Sequence, residues 1–314
     1  MSQSQRACYR VTNWREYNES LVRRGDVTVW FSDEALASWE HANDAVKVGR
    51  PFTYSDGAIE CLLTLRELFR LPYRQTEGLG RALVKLMNAA VAIPDFTSLA
   101  KRAAKLGVSL EVSRVSGPID LVVDSTGLKI YGAGEWRSQA HQTPKRKTWR
   151  KLHLSINAAT QEIVAEALTS RSCDDAELVP ELLAQGASPV AKLYGDGAYD
   201  RWKLYDELAQ AEIQPVIPPR KGATIRKHGN SAGPRLPRDE AIRGIRRRGR
   251  KGWKRESGYH RRRSLVETSM SRLKQAFGPR LKNKGFDNQR TEARLRCKLL
   301  NRFTQLGMPT FRWD

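Results

Sequence analysis

Three carboxylates stand in a chain dominated by arginine and lysine. Asp124 follows the apolar run of "LVVDSTG", Asp196 sits between two glycines in "KLYGDGAYD", and Glu267 is the single acid of "RRRSLVETSMSRLK". A carboxylate at the end of an apolar run is seldom a core element, because an unpaired buried charge is costly. Each aspartate alone also suits a turn or a helix cap, and Glu267 alone suits an ordinary ion pair with Arg263 one helical turn earlier. Together, two aspartates at the carboxyl ends of strands and one glutamate on a later helix form an all-oxygen set of the kind Mg²⁺ prefers. Ligands gather outside such strand ends in open α/β sheets, and Gly195 and Gly197 let a backbone or phosphate approach Asp196. Two ions about 4 Å apart can activate an attacking oxygen and stabilise a leaving one at a phosphodiester. On this reading the acids hold the metals, and the basic surroundings hold the polyanion.

Those residues need elements to position them. Val266, Met270, Leu273 and Phe277 recur at i, i+4, i+7 and i+11, a helix face that packs on a sheet. Glu267 lies about 100° from Val266, at the edge of that face. Upstream, Ile119 to Val123 reads as a short buried strand, and "TWRKLHLSINAATQEIVAEALTS" as a hairpin around Asn-Ala-Ala-Thr. "DDAELVPELLAQ" follows as a helix capped by Asp174 or Asp175, then "VAKLY" as a strand, "RWKLYDELAQAE" as a helix and "QPVIPPR" as a last strand. The order is that of an α/β sheet with one antiparallel portion. Residues 1 to about 115 read as mostly helical. Ser32 is a candidate cap, Ile59, Leu62, Leu63 and Phe69 form one apolar face, and Leu79, Leu83, Leu86 and Met87 form another from Thr76 onward. Asp95 or Thr97 caps a third helix that Gly107 stops. The link "LPYR" suits a helix-turn-helix, with a plain bundle as the other reading.

Fifty-five Lys and Arg against 34 Asp and Glu give the 314 residues a formal charge of +21, while 40% hydrophobic residues suffice for a real core. That excess favours nucleic acid or an anionic membrane as partner. No apolar run reaches a membrane span and no leader-like segment opens the chain, so nucleic acid in a cytoplasm is the expectation. Cys8, Cys61, Cys173 and Cys297 lie too far apart in sequence for a zinc or disulfide framework. Between Lys221 and Gly258 the pattern dissolves into Gly, Pro and Arg, and Arg243 to Arg263 holds eleven Lys or Arg against Glu256 alone. This basic insertion, with Arg246, Arg247, Arg248 and Arg250, is read as a solvated loop or a segment that tracks DNA. Trp253 within it would stack on an unpaired base or simply pack. His153 reads as structural rather than as a base.

"LVVDSTGLKIYG", "KTWRKLHLSIN", "LYGDGAYD" and the Arg, three residues, Glu, six residues, Lys spacing of "RSLVETSMSRLK" occur in that order. These blocks resemble the signatures of bacterial insertion-sequence DDE transposases of the insertion sequence five family, over roughly residues 115 to 305. The resemblance implies a ribonuclease-H-like mixed-sheet catalytic domain at 116–314, preceded by a helical DNA-binding region at 1–115. It implies Asp124, Asp196 and Glu267 as a metal-binding catalytic triad for two Mg²⁺ ions, with Mn²⁺ able to substitute. Arg263 and Lys274 carry over as phosphate contacts. The Tyr that the family places three positions before the Arg is His260 here, with Tyr259 four before. The implied activity is DNA cleavage at transposon ends followed by strand transfer into target DNA, by a homodimer on paired ends, in the bacterial cytoplasm with the nucleoid. Terminal repeats would be read by the helical region, with Arg74, Gln75 and Arg81 on its candidate recognition helix. The alternatives are a structure-specific nuclease of the same fold and a non-catalytic basic DNA-binding protein.

Overall fold

The computed structural model describes residues 9–31, 33–42, 51–130, 149–228 and 233–313, so the candidate cap Ser32 lies outside the described residues. The chain forms two compact units, Met1–Val108 with Leu299–Asp314, and Ser109–Lys298. In the first unit β1 (Tyr9–Val11) pairs antiparallel with β8 (Phe311–Trp313), which ties both ends of the chain into one unit.

Among the described residues of this unit, β1 is followed by the α-helices α1 (Trp14–Arg23), α2 (Asp33–Ala37), α3 (Asp56–Leu68), α4 (Tyr73–Leu86) and α5 (Phe96–Ala103). The Ser55 hydroxyl accepts the Ala58 N–H to start α3, and Asp95 accepts Thr97 and Ser98 N–H groups to start α5. Helix α4 begins three residues before the expected Thr76, because Pro72 presets the backbone ahead of Tyr73. Its apolar face also differs from expectation. The buried positions are Thr76 and Gly80, whereas Leu86 is 82% exposed. A Cβ on Gly80 would stand 2.9 Å from Leu62 Cδ2, so α4 approaches α3 through its small residues.

The second unit is built on a six-stranded mixed sheet. Its strands are β2 (Ile119–Ile130), β3 (Trp149–Asn157), β4 (Ile163–Ser170), β5 (Val190–Tyr194), β6 (Gln214–Val216) and β7 (Arg280–Leu281). The order is β4-β3-β2-β5-β6, with β7 pairing the far end of β2. The β2–β3 and β3–β4 pairs are antiparallel, while β2–β5 and β5–β6 are parallel. This is a mixed α/β sheet with one antiparallel portion, as expected from the sequence. Strand β2 runs seven residues beyond the expected Val123, because its second half pairs with β3 as far as Lys129 opposite Trp149. Gly127 accommodates the Trp149 ring there, since a Cβ would lie 3.1 Å from it.

Helices α6 (Val179–Gln185) and α7 (Trp202–Gln210) cover one sheet face, through Val179, Leu204 and Leu208 against Val123 and Leu193. The basic insertion is not a loop throughout. Pro237–Glu256 forms helix α8, opened by a proline in its first turn and two acids, and broken only at Gly249, where φ is +71°. Arginine is a good helix former, and no proline follows Pro237 until Pro279, so the charge run folds despite its glycines. Trp253 is 8% exposed and packs against Gly244, where a Cβ would come within 2.9 Å of its ring. Of the two readings of Trp253, its burial fits packing, with the ring set between the two arms of α8. Helices α9 (Tyr259–Phe277) and α10 (Phe286–Leu306) complete the unit, α10 running on into residues of the first. The expected face of α9 is buried at Val266, Met270, Leu273 and Phe277.

Candidate active site

The site begins with the register of two parallel strands. Val122 of β2 pairs with Tyr194 of β5, and Asp124 and Asp196 each follow two residues later. The period of two puts both carboxylates on one face. Asp124 stands within β2 rather than at its end, and Asp196 sits just past β5. Its Oδ1 accepts the Ala198 N–H at 2.8 Å, opening a single 3-10 turn. Both aspartates are half-buried.

Helix α9 lies on the same face and brings the third acid. Arg263 Nη2 donates to Asp124 Oδ2 at 2.7 Å, and its Nη1 stands 3.3 Å from Glu267 Oε1. Glu267 is otherwise open, its side chain 62% exposed. Lys274 Nζ donates to Thr126 Oγ1 at 2.5 Å, docking the far half of α9 on the strand that carries Asp124. Tyr259, buried one turn before Arg263, interacts electrostatically with Arg263, Asp196 and Asp124. His260 is exposed, so Tyr259 is the aromatic residue that faces the acids.

Burial raises the Asp124 carboxyl above its ordinary value and neighbouring Asp196 adds to that, with Arg263 opposing both. Two carboxylates held close on a desolvated face call for a cation. In this structure the Arg263 guanidinium supplies that charge, bridging Asp124 to Glu267. The donors are all hard oxygens, a set that fits a small divalent ion. Among the described residues no three His, Cys, Asp or Glu side chains are already gathered into a metal-holding group. A divalent ion would therefore need Glu267 to turn inward from solvent.

Residues that the sequence reading passed over hold the loop behind Asp196. Asp200 is buried, takes Arg238 Nε at 2.6 Å and Nη2 at 3.0 Å, and accepts the Arg220 N–H at 2.9 Å. The second Asp of "GDGAYD" was the available signal, since a buried aspartate needs partners of this kind. Asp174 accepts the Ala176 N–H, as expected of a cap, whereas Asp175 turns toward Lys151 and His153.

The remaining basic candidates divide by what they touch. Arg250 Nη2 donates to Pro219 O at 2.7 Å and Arg248 pairs with Glu256 at 2.7 Å. Arg246 and Arg247 are exposed on α8. In the first unit Arg74 lies 4.4 Å over the Phe96 ring, Arg81 pairs with Glu77 at 2.5 Å, and Gln75 is exposed. Arg74 and Arg81, seven positions apart on α4, project to nearly the same side.

A family model described as "Transposase DDE domain" matches residues 116–302, and a second of the same description matches 22–133. A solved structure of the piggyBac transposase synaptic complex with hairpin DNA is similar at 9% identity and a TM-score of 0.43, over 91% of this chain and 74% of that one.

Proposed function

Because the chain belongs to the transposase DDE-domain family, we propose that it cleaves DNA at the ends of a mobile element and joins the freed 3′-OH to target DNA at one metal-dependent site. The observation that carries this reading is the placement of Asp124 and Asp196 in register on adjacent parallel strands, with Arg263 linking Asp124 to Glu267. Asp124, Asp196 and Glu267 would hold Mg²⁺, two ions by the resemblance, or Mn²⁺ in its place. When bound, such ions draw charge from a phosphodiester and ease attack at phosphorus.

The chain's own residues supply orientation and affinity. Arg263, bonded to Asp124, and Lys274, bonded to Thr126, would meet phosphate oxygens, Arg263 by exchanging its Asp124 partner. Arg246 and Arg247 extend a positive surface along α8, which suits the backbone of double-stranded DNA. The helical unit would read the terminal repeats through Arg74, Gln75 and Arg81, since base edges carry the sequence information that phosphates lack. Work on paired ends implies a homodimer on DNA. No described helix is long and apolar enough to cross a membrane; the proposed setting is the bacterial cytoplasm, with the nucleoid.

Incubating the full-length protein with an element end 5′-labelled on the strand whose 3′-OH is to be freed, supercoiled plasmid and MgCl₂ tests the reading. Label transferred into plasmid is the expected product. Cutting without transfer would make the protein a nuclease of the same fold, and binding without cutting would remove catalysis altogether. Substituting Arg74, Gln75 and Arg81 by Ala in the intact chain should erase preference for end DNA over scrambled DNA of equal length.

A further inference from the structure

Behind Asp124, on the opposite face of β2, lies a polar cluster with no part in the reaction described so far. Residues directly opposite in an antiparallel pair share a face, so Ser125 and His153 point away from Asp124 and Leu154. Asp175, from the link between β4 and α6, enters on that side. Lys151 Nζ stands 2.9 Å and His153 Nδ1 3.2 Å from its Oδ1, and against the effect of burial His153, Lys151 and Ser125 hold the carboxyl below its ordinary value. His153 is fully buried and its Nε2 lies 2.8 Å from Thr169 Oγ1, while Lys151 Nζ also donates to Cys173 O at 3.0 Å. The buried Tyr199, packed under Gly195, feels the charges of Asp175, Asp124 and Asp196 together.

We propose that Asp175 is a positioning residue for the metal-holding edge of the sheet, holding β3 through His153 and Lys151 where that strand pairs with Ser125 and Gly127 of β2, next to Asp124. This rests on the reading of Asp124 and Asp196 as metal ligands. One carboxylate meets two residues of the strand that pairs with β2 directly beside Asp124, so a shift of the backbone there disturbs both ion contacts. Ligand groups need placement within about 0.5 Å, and that precision comes from supporting contacts of this kind. Stability alone is a poor account of the cluster, because apolar packing of equal volume is commonly as stable as a buried ion pair. Asp174 next to it has a different task, pairing with Arg201 at 2.7 Å and accepting the Ala176 N–H.

The test uses the full-length protein without DNA and Mn²⁺ as probe, following free Mn²⁺ by electron paramagnetic resonance. Asp175→Asn should stay folded and weaken Mn²⁺ binding by about ten- to a hundredfold, with metal-free affinity for end DNA unchanged. Ser125→Ala, which cuts a single link, should shift affinity the same way by less, and Asp174→Asn should not shift it. Wild-type Mn²⁺ affinity in both Asp175→Asn and Ser125→Ala, alongside loss in Asp124→Asn, would overturn the positioning role and leave the site intact. Wild-type affinity in Asp124→Asn as well would overturn the site itself. If Asp175→Asn does not fold, Ser125→Ala decides alone, and unchanged affinity there rejects the proposal.

Discussion

Arg263 donates from Nη2 to Asp124 Oδ2 at 2.7 Å across 139 residues of sequence, and both side chains are largely buried. The pair joins helix α9 to strand β2 at the point where the acids meet. Removing one partner of such a pair leaves an uncompensated charge, a loss of about 3–5 kcal/mol when burial is deep.

Arg263→Ala should therefore lower the thermal midpoint of the metal-free protein, and MgCl₂ should restore part of the loss by binding only the folded state. The sign with pH follows from Asp124. Its folded carboxyl is already raised by burial, so the native state favours the protonated form and stability falls as pH rises through that range. Without Arg263 that fall should steepen. A midpoint deficit that Mg²⁺ leaves untouched would show that Arg263 does not stand in for a cation. Differential scanning fluorimetry over pH and MgCl₂ concentration gives both readings.

Part of this site is legible in the sequence. The apolar spacing of Val266, Met270, Leu273 and Phe277 sets the rotation of α9, and that rotation leaves Glu267 at the rim beside Arg263. The succession of strands and helices along the chain followed from the alternation of short β-branched runs with helical patterns. Three features stayed hidden for physical reasons. The second half of β2 carries little apolar patterning and is a strand because β3 pairs with it. Helix α8 carries seven arginines in twenty residues and few apolar ones, so hydrophobic period could not reveal it, and Trp253 serves as its internal packing. The α3–α4 contact runs through Gly80, and a glycine contact leaves no hydrophobic trace.

The arginines of α8 should separate by partner. Arg246→Ala with Arg247→Ala should flatten the salt dependence of DNA binding, at about 0.9 log units per lost phosphate contact per tenfold salt. Arg250→Ala, which loses its bond to Pro219 O, should cost stability as well. Gel shifts from low to high salt check the slope. A double variant with the wild-type slope would make this face solvated surface only.

Trp253→Ala should unfold readily rather than merely bind DNA less well. Truncating a buried tryptophan costs about 3–5 kcal/mol, and Trp253 is 8% exposed beside Gly244 and Tyr259. Urea midpoints measure this directly. A stable Trp253→Ala protein with weakened affinity for single-stranded DNA would return the residue to a stacking role.

Glu166 offers a pH test away from the acids of the site. Burial pushes its carboxyl up to about 7 from an ordinary 4.5, against the pull of Arg294 at 3.2 Å. Between those values the folded chain keeps a proton that the unfolded chain has released. Its contribution to stability is present below about 4.5 and is lost as pH rises toward about 7. Glu166→Gln should remove that downward slope from metal-free urea midpoints taken across the window, and an unchanged slope would assign it to another group.

The central claim is that Asp124, Asp196 and Glu267 act as one metal-dependent catalytic set, and Glu267 is its most exposed member. Glu267→Gln keeps the shape of the side chain and removes the charge that a hard cation needs. The decisive measurement is the single-turnover rate of cleavage of a labelled element end in MgCl₂, with gel-shift affinity for the same DNA determined in parallel. The account predicts that cleavage by Glu267→Gln falls below detection while DNA affinity stays within about threefold of wild type, a difference of less than about 1 kcal/mol. Cleavage by Glu267→Gln at near the wild-type rate would contradict it.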